Sequence, residues 1–520
     1  MDPTIEAVFY GRHEADPRAL LYFEWRQRLE SGHLVARFES AVRALATADP
    51  ADADACSALR EEIESAPFDP EWGFDEGELA DAASLGSGAG AASTGSASGG
   101  GAPTGSWPAD PAGRASSTGF SSGSGAGGEA TAPGRGAEHS TARTAFDSAS
   151  ADSASAGPAA SDSTVPDAAA TTSAPDDELL DRIHGGWLGR CVGCTLGKPL
   201  ENGFVWTREH IRTYLERVDA YPLTGYVPVV LPPPFPLNPT WPVSTRGRID
   251  GAPRDDDIDY TVLGLHLLES RGLNFTPEDV ANLWLERLPF LQTYTAERVA
   301  YRNLVDGLRP PATATVRNPY REWIGAMIRA DIFGYVNPGN PQRAAALAAR
   351  EAAVSHTGNG IFAAMWAAAL IAAAFTASGP SAALTVAQDM LPPRSRLAVA
   401  LAEVRADHDQ ALSWKQALHN IETRHGAYNW VHAIPNACRV AAGLLWGAGD
   451  FTRTIALTVQ SGADTDSNGA TAGSVAGILV GAERMPAHWT DPFHDTLHSA
   501  VMGYDGVRIS DLARRTRVLV

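Results

Sequence analysis

Two segments, Gly185-Gly186-Trp187-Leu188-Gly189-Arg190-Cys191-Val192-Gly193-Cys194-Thr195-Leu196-Gly197 and Gly469-Ala470-Thr471-Ala472-Gly473-Ser474-Val475-Ala476-Gly477-Ile478-Leu479-Val480-Gly481, carry glycines four apart. Residues at that spacing share one face of a helix. Each glycine costs a helix about 1 kcal/mol relative to alanine, so a run of four needs a compensating reason. Close approach of a neighbouring backbone is the simplest one. The spacing predicts two central, tightly packed helices. Alanine-rich runs at Ala344 to Ala353 and Ala363 to Ala374 suit the same core, and strand-like alternation is scarce. The predicted class is all-α, a compact multi-helix domain.

Outward from this core the chain changes character. Of its 520 residues, 61 are acidic and 41 basic, a net charge of -20. Before residue 178 there are 28 acidic and 10 basic residues, so the N-terminal third holds about -18 and the rest about -2. Residues 1–81 place Leu20, Leu21, Phe23, Trp25, Leu29, Leu34, Phe38, Val42 and Leu45 at helix-like spacing between acids, which predicts a small acidic helical module, and its lack of clustered reactive side chains suits a regulatory element or one that docks a protein partner. Residues 82–176 are rich in Gly, Ser, Ala, Thr and Pro with few large apolar side chains, the composition of a disordered linker. The remaining domain spans 177–520.

The overall acidity argues against a nucleic-acid partner or an anionic membrane surface. Four cysteines are too few for a disulfide framework and point to a reducing compartment. Met1-Asp2-Pro3-Thr4-Ile5-Glu6 has neither the basic nor the apolar region of a secretory signal, so the expected location is cytoplasmic. The uncharged stretch Ile361 to Pro380 is dominated by alanine and lacks basic flanks, so a buried soluble helix is expected there rather than a membrane span. Cys191-x-x-Cys194 has no second pair, and packing is favoured over zinc or redox chemistry.

Carboxylates cluster at two predicted helix starts. Arg254-Asp255-Asp256-Asp257-Ile258-Asp259 precedes an apolar helical run, and Ser461-Gly462-Ala463-Asp464-Thr465-Asp466-Ser467-Asn468 precedes the second glycine helix. A helix N-terminus accepts one or two acids as caps. Three consecutive Asp at one start and Asp-x-Asp-Ser at another exceed that need. Hard divalent cations such as Mg²⁺ take oxygen ligands of this kind, so metal binding is favoured over capping.

In order along the chain stand Gly193-Cys194-Thr195-Leu196-Gly197-Lys198-Pro199-Leu200-Glu201, the Asp255-Asp256-Asp257 cluster, Gly325-Ala326-Met327-Ile328-Arg329, Ser355-His356-Thr357-Gly358-Asn359-Gly360, and Gly462-Ala463-Asp464-Thr465-Asp466-Ser467. This series resembles the ADP-ribosylglycohydrolase family from about Asp177 to the C-terminus. The resemblance implies an all-α fold around a dinuclear Mg²⁺ site that binds ADP-ribose and hydrolyses the bond at its anomeric carbon. Its metal ligands would be Asp256, Asp257, Asp464, Asp466 and Ser467. Asp255, standing where the family has Thr, is a further ligand candidate. Ile258 replaces the last Thr of that motif, and Cys194 replaces an Asp on the first glycine helix. Glu201, Asp257 and Asp466 are the implied catalytic carboxylates, with Glu201 as the acid/base or gating group.

A glycine-containing turn before a helix offers N–H groups to a pyrophosphate, so His356, Gly358, Asn359 and Gly360 are candidates for that role, with a core or capping role for His356 left open. Arg329 could pair with a phosphate or with Asp331 or Glu322, and the structural pair is favoured. Asn429, His432 and Asn436 line a ligand pocket or cap a helix. The expected function is Mg²⁺-dependent hydrolysis of ADP-ribose attached to a protein side chain or a small molecule. The alternative is a non-catalytic ADP-ribose or nucleotide-binding protein that keeps the fold and metal site.

Overall fold

The computed structural model describes residues 9, 16–74 and 175–520. Of the expected linker at 82–176, residues 82–174 lie outside the described residues, and residues 175 and 176 instead begin the helix Pro175–Gly197. Six helices position the site: α1 (Pro17–Glu30), α2 (Pro175–Gly197), α3 (Asp256–Arg271), α4 (Gly358–Ala374), α5 (Ala433–Gly447) and α6 (Thr465–Val480). Other helices and short 3₁₀ turns surround them, and among the described residues strand pairing is limited to β1 (Thr496–Leu497) with β2 (Val507–Arg508) and isolated bridges.

α2 and α6 pack backbone to backbone, as the glycine spacing predicts. A Cβ on Gly185, Gly189 or Gly193 would fall inside contact distance of the carbonyl oxygen of Gly477, Gly473 or Gly469 respectively, and one on Gly197 would strike the Thr465 carbonyl. The fit is reciprocal, since Gly469, Gly473 and Gly477 face the carbonyls of Gly193, Gly189 and Gly185. Thr465 Oγ1 also donates to the Gly197 carbonyl at 2.9 Å, tying the C-terminal end of α2 to the first turn of α6. The helices therefore run antiparallel, and the end of α2 lies beside the start of α6.

α4 is buried along its whole length, from Gly358 to Ala374. Its small side chains pack against neighbouring helices on every face, the expected behaviour of an alanine-rich soluble core helix. No described helix is long and apolar enough to cross a membrane. All four cysteines are free and buried.

The described N-terminal residues belong to the same compact unit as residues 175–520. α1 begins at an Asp16 cap with Pro17 in its first turn, both favourable at a helix start. Phe23 on α1 packs against Tyr320 and Trp323, with ring centroids 5.6 and 5.5 Å away. Polar ties reinforce this seam: Arg321 Nη1 donates to Glu24 at 2.9 Å, Gln27 Nε2 to Glu322 at 2.7 Å, and Arg396 Nη1 to the Glu30 carbonyl at 2.9 Å.

Arg329 departs from its expected partners. It is enclosed by Glu351 at 2.8 Å and Glu297 at 2.5 Å, beneath the rings of Tyr260 and Trp284. Asp331 instead pairs with Arg190 at 2.9 Å, and Glu322 with Arg396 at 2.6 Å. Such buried charges need partners close at hand, and Arg329 takes the two acids that its helix packing supplies.

Candidate metal centre

The antiparallel packing of α2 and α6 delivers two acid-bearing starts and one acid-bearing end to a common place. Asp255 caps α3, its Oδ1 accepting from the Asp257 N–H at 3.0 Å. Asp464 stands at the N-cap of α6, and its N–H donates to Asn436 Oδ1 at 3.3 Å. Asn436 holds that corner more widely: its Nδ2 donates to the carbonyls of Trp430 and His432, while Asn468 Nδ2 donates to its Oδ1 at 2.7 Å. A 3₁₀ turn, Lys198–Leu200, follows α2 and leads to Glu201.

Two groups of potential ligand atoms result, each within 4.8 Å internally: Cys194, Asp255, Asp257 and Asp466, and then Glu201, Asp464 and Asp466. Asp466 belongs to both. Its Oδ1 is buried and has no hydrogen-bond partner within the protein. A buried carboxylate oxygen left in that state is costly unless a cation or proton meets it. The donor set of the second group, three carboxylates, is what a hard divalent cation takes. The residues present fit a metal ion.

The other side chains show how the centre is held. Asp257 is buried, with Oδ2 accepting from Ser467 Oγ at 3.0 Å and Oδ1 facing Arg190 Nη2 at 3.2 Å. Arg190 also donates to the Asp257 carbonyl from Nε and Nη2, at 3.0 and 2.7 Å. Lys198 Nζ contacts Asp255 Oδ2 in a buried ion pair. Glu201 Oε2 accepts from Asn238 Nδ2 at 2.8 Å. Asp256 is half-buried and belongs to neither group, although its charge bears on Glu201, Asp257 and Asp466. Asp259 serves structure: it accepts from Arg254, Ser499 Oγ and the Ala500 N–H.

Crowded carboxylates raise one another's pKa. Burial first, then Asp466, holds the Glu201 carboxyl well above the usual carboxylate range. Burial, Asp466 and Glu201 do the same to Asp464. Burial raises Asp257 well above that range despite the lowering effect of Arg190. Burial opposes the charge of Lys198, but the surrounding acids, Asp466, Glu201 and Asp256 among them, outweigh it and the ammonium pKa is raised. The Cys194 thiol is pushed well above its ordinary value, chiefly by burial, so it stands as a neutral thiol.

The turn at 356–360 belongs to neither acidic group. His356, Gly358, Asn359 and Gly360 are fully enclosed. His356 Nδ1 lies 2.8 Å from Ser355 Oγ, and Asn359 donates from its backbone and side chain to Glu322 Oε1 at 2.9 and 3.0 Å. Asn359 Oδ1 accepts from the Leu397 N–H at 3.0 Å. Gly358 has φ of +48°, which favours glycine, and a Cβ on Gly360 would come 2.5 Å from the Arg321 carbonyl. These roles join α4 to the segment carrying Glu322.

Beside Asp464 lies a cavity of about 270 Å³, whose walls include Phe204, Tyr428, Trp430, Arg439, Ser461 and Ala463. Asn429 lines it. His432 and Asn436 are buried supports: His432 Nδ1 caps α5 by accepting from Ile434, and Asn436 braces the Asp464 corner. Sequence reasoning missed Lys198 and Arg190 as parts of the centre. Both sit in the motif that carries the glycines, and a basic residue within an acid-binding motif is the signal that marks them.

A family model for ADP-ribosylglycohydrolase matches residues 175–519. A solved structure described as an ADP-ribosylglycohydrolase-related protein complex is similar at 19% identity, covering 66% of this chain and 98% of its own, with a TM-score of 0.41. No curated relative matches the chain. The family match takes in the paired glycine helices, both acidic starts and the loop that carries Glu201, and on that extent the chain belongs to the ADP-ribosylglycohydrolase family.

Proposed function

We propose that the chain is a Mg²⁺-dependent hydrolase that cleaves the glycosidic bond between ADP-ribose and a protein side chain or small molecule. The observation that carries this reading is the pair of acidic groups joined at Asp466, whose buried Oδ1 has no partner in the protein. Glu201, Asp464 and Asp466 would hold the ion, with Asp256 and Asp257 beside them. A divalent ion bound there supplies an anchor for ribose hydroxyls and a water of lowered pKa.

The chain's own groups do the remaining work. Cleavage at an anomeric carbon passes through an oxocarbenium-like state, stabilised by nearby carboxylates, and needs a proton for the leaving group. Glu201 would meet the ion as a carboxylate, and the raising of its carboxyl pKa well above the ordinary range, by burial and then by Asp466, reflects a repulsion that a cation would relieve. Asn238 fixes its orientation through Oε2. Arg190 and Ser467 hold both oxygens of Asp257, so that carboxylate is set before a substrate arrives. The cavity of about 270 Å³ beside Asp464 offers aromatic walls and a guanidinium to part of the substrate.

The test is a panel of ADP-ribosylated substrates, differing in the leaving group, incubated with the protein with and without Mg²⁺. Release of ADP-ribose from at least one member, only with the metal, is expected. Binding of ADP-ribose with no release from any member overturns the hydrolase reading in favour of a binding protein.

A further inference from the structure

The first acidic group differs from the second in what its oxygens already do. Asp255 Oδ1 accepts from the Asp257 N–H, and Asp255 Oδ2 contacts Lys198 Nζ. Asp257 Oδ1 faces Arg190, and its Oδ2 accepts from Ser467. All four carboxylate oxygens of these two residues are therefore engaged by the protein. The remaining member besides Asp466 is Cys194, a buried sulfur and a poor ligand for a hard cation. In the second group the position is reversed. Asp466 Oδ1 has no partner, and Glu201 has one amide donor on one oxygen.

Lys198 explains the asymmetry. It opens the 3₁₀ turn that follows α2, four residues beyond Cys194, and its ammonium meets Asp255, whose carboxylate is grouped with the Cys194 thiol. It is nearly sealed, with 6% of its side chain exposed, and its partner Asp255 is 3% exposed. A buried ammonium persists only against buried negative charge, and the pairing is strongest where water is excluded. Asp255 supplies that charge at the position where the resemblance places an uncharged Thr. Lys198 and Asp255 thus form a matched pair that brings a fixed positive charge into the centre.

We propose that Lys198 takes the place of one divalent cation, so that this chain binds a single ion, held by Glu201, Asp464 and Asp466, while Asp255 serves as helix cap and lysine anchor. The proposal rests on the reading of the acidic centre as a metal site and specifies its occupancy. It makes Lys198 a positioning residue for the carboxylates.

The experiment is equilibrium dialysis of the metal-free full-length chain against saturating Mn²⁺, with bound metal counted per chain by elemental analysis. The wild type is expected to bind one ion, Asp466→Asn none, and Lys198→Arg one. Lys198→Met, which frees Asp255, is expected to double the count. Because that variant leaves a buried acid unpaired, the double variant Lys198→Met/Asp255→Thr provides a second reading: it removes both charges together and is expected to bind two ions. Substitution with Co²⁺ in the wild type is expected to give no thiolate-to-cobalt charge-transfer absorption. Two ions in the wild type, or a double variant that folds and still binds one, overturns the role of Lys198 and leaves the metal-dependent hydrolase standing. No ion in the wild type overturns both.

Discussion

Gly193→Ala tests the packing on which the site depends. The substitution should help an isolated helix by about 1 kcal/mol, since alanine is the better helix former. In this fold the added Cβ would lie within the contact radius of the Gly469 carbonyl oxygen and 3.0 Å from the Ala470 nitrogen. Both obstacles are backbone, so neither moves aside as a flexible side chain does. α2 and α6 must separate, and a gap of about 0.5–1 Å forfeits roughly a quarter to a half of each dispersion contact along the seam. Overpacking of this kind costs about 1–3 kcal/mol even where side chains yield, so a net loss of about 3 kcal/mol is expected here. At about 2–4 °C per kcal/mol, thermal unfolding followed by fluorescence should shift downward by about 6–12 °C. Gly225→Ala is the control, because the nearest atom to its Cβ, Arg246 Nη2, is at an ordinary contact distance of 3.5 Å. The same separation draws the end of α2 away from Asp466, so metal affinity should fall with stability. A Gly193→Ala protein as stable as the wild type, or one no less stable than Gly225→Ala, refutes the reasoning.

Two further outcomes follow from the charges and from the N-terminal seam. Glu201 and Asp464 have folded pKa values well above 4.5 and 3.8 respectively, so the folded metal-free chain binds more protons than the unfolded one. Its stability should therefore fall as pH rises from the ordinary carboxylate range through the raised folded values, and Mg²⁺ should remove that fall while releasing protons; a chelated protein whose melting temperature climbs over that range contradicts the assignment. Phe23→Ala should cost about 3–5 kcal/mol, because a buried aromatic against Tyr320 and Trp323 is deleted. Calorimetry should show the main transition moving down; an unchanged main transition with a separate weak one indicates that α1 folds independently of the domain it covers.

The paired glycines were legible because little except backbone contact explains four of them in register, and both helices advertised the same spacing. The acids were legible for a similar reason: three consecutive Asp exceed what a helix cap uses. What those acids meet was not legible. Lys198 and Asp255 are 57 residues apart, and Arg190 and Asp257 are 67 apart, so neither pair leaves a local pattern. Arg329 misled for the same reason, since its partners Glu297 and Glu351 come from other helices while the acids near it in sequence are committed elsewhere. The seam between α1 and the segment around Tyr320 joins residues about 300 positions apart, and helix periodicity in Leu20 to Leu29 says only that one face is buried, not what buries it.

The most direct measurement follows the oxygen. An ADP-ribosylated substrate released by the protein in heavy-oxygen water should yield ADP-ribose carrying the label at its anomeric carbon, at a rate that rises with added Mg²⁺ and is lost in Asp466→Asn. Unlabelled release, or labelled release that persists in metal-free protein or in Asp466→Asn, contradicts a glycosidic hydrolase built on this centre.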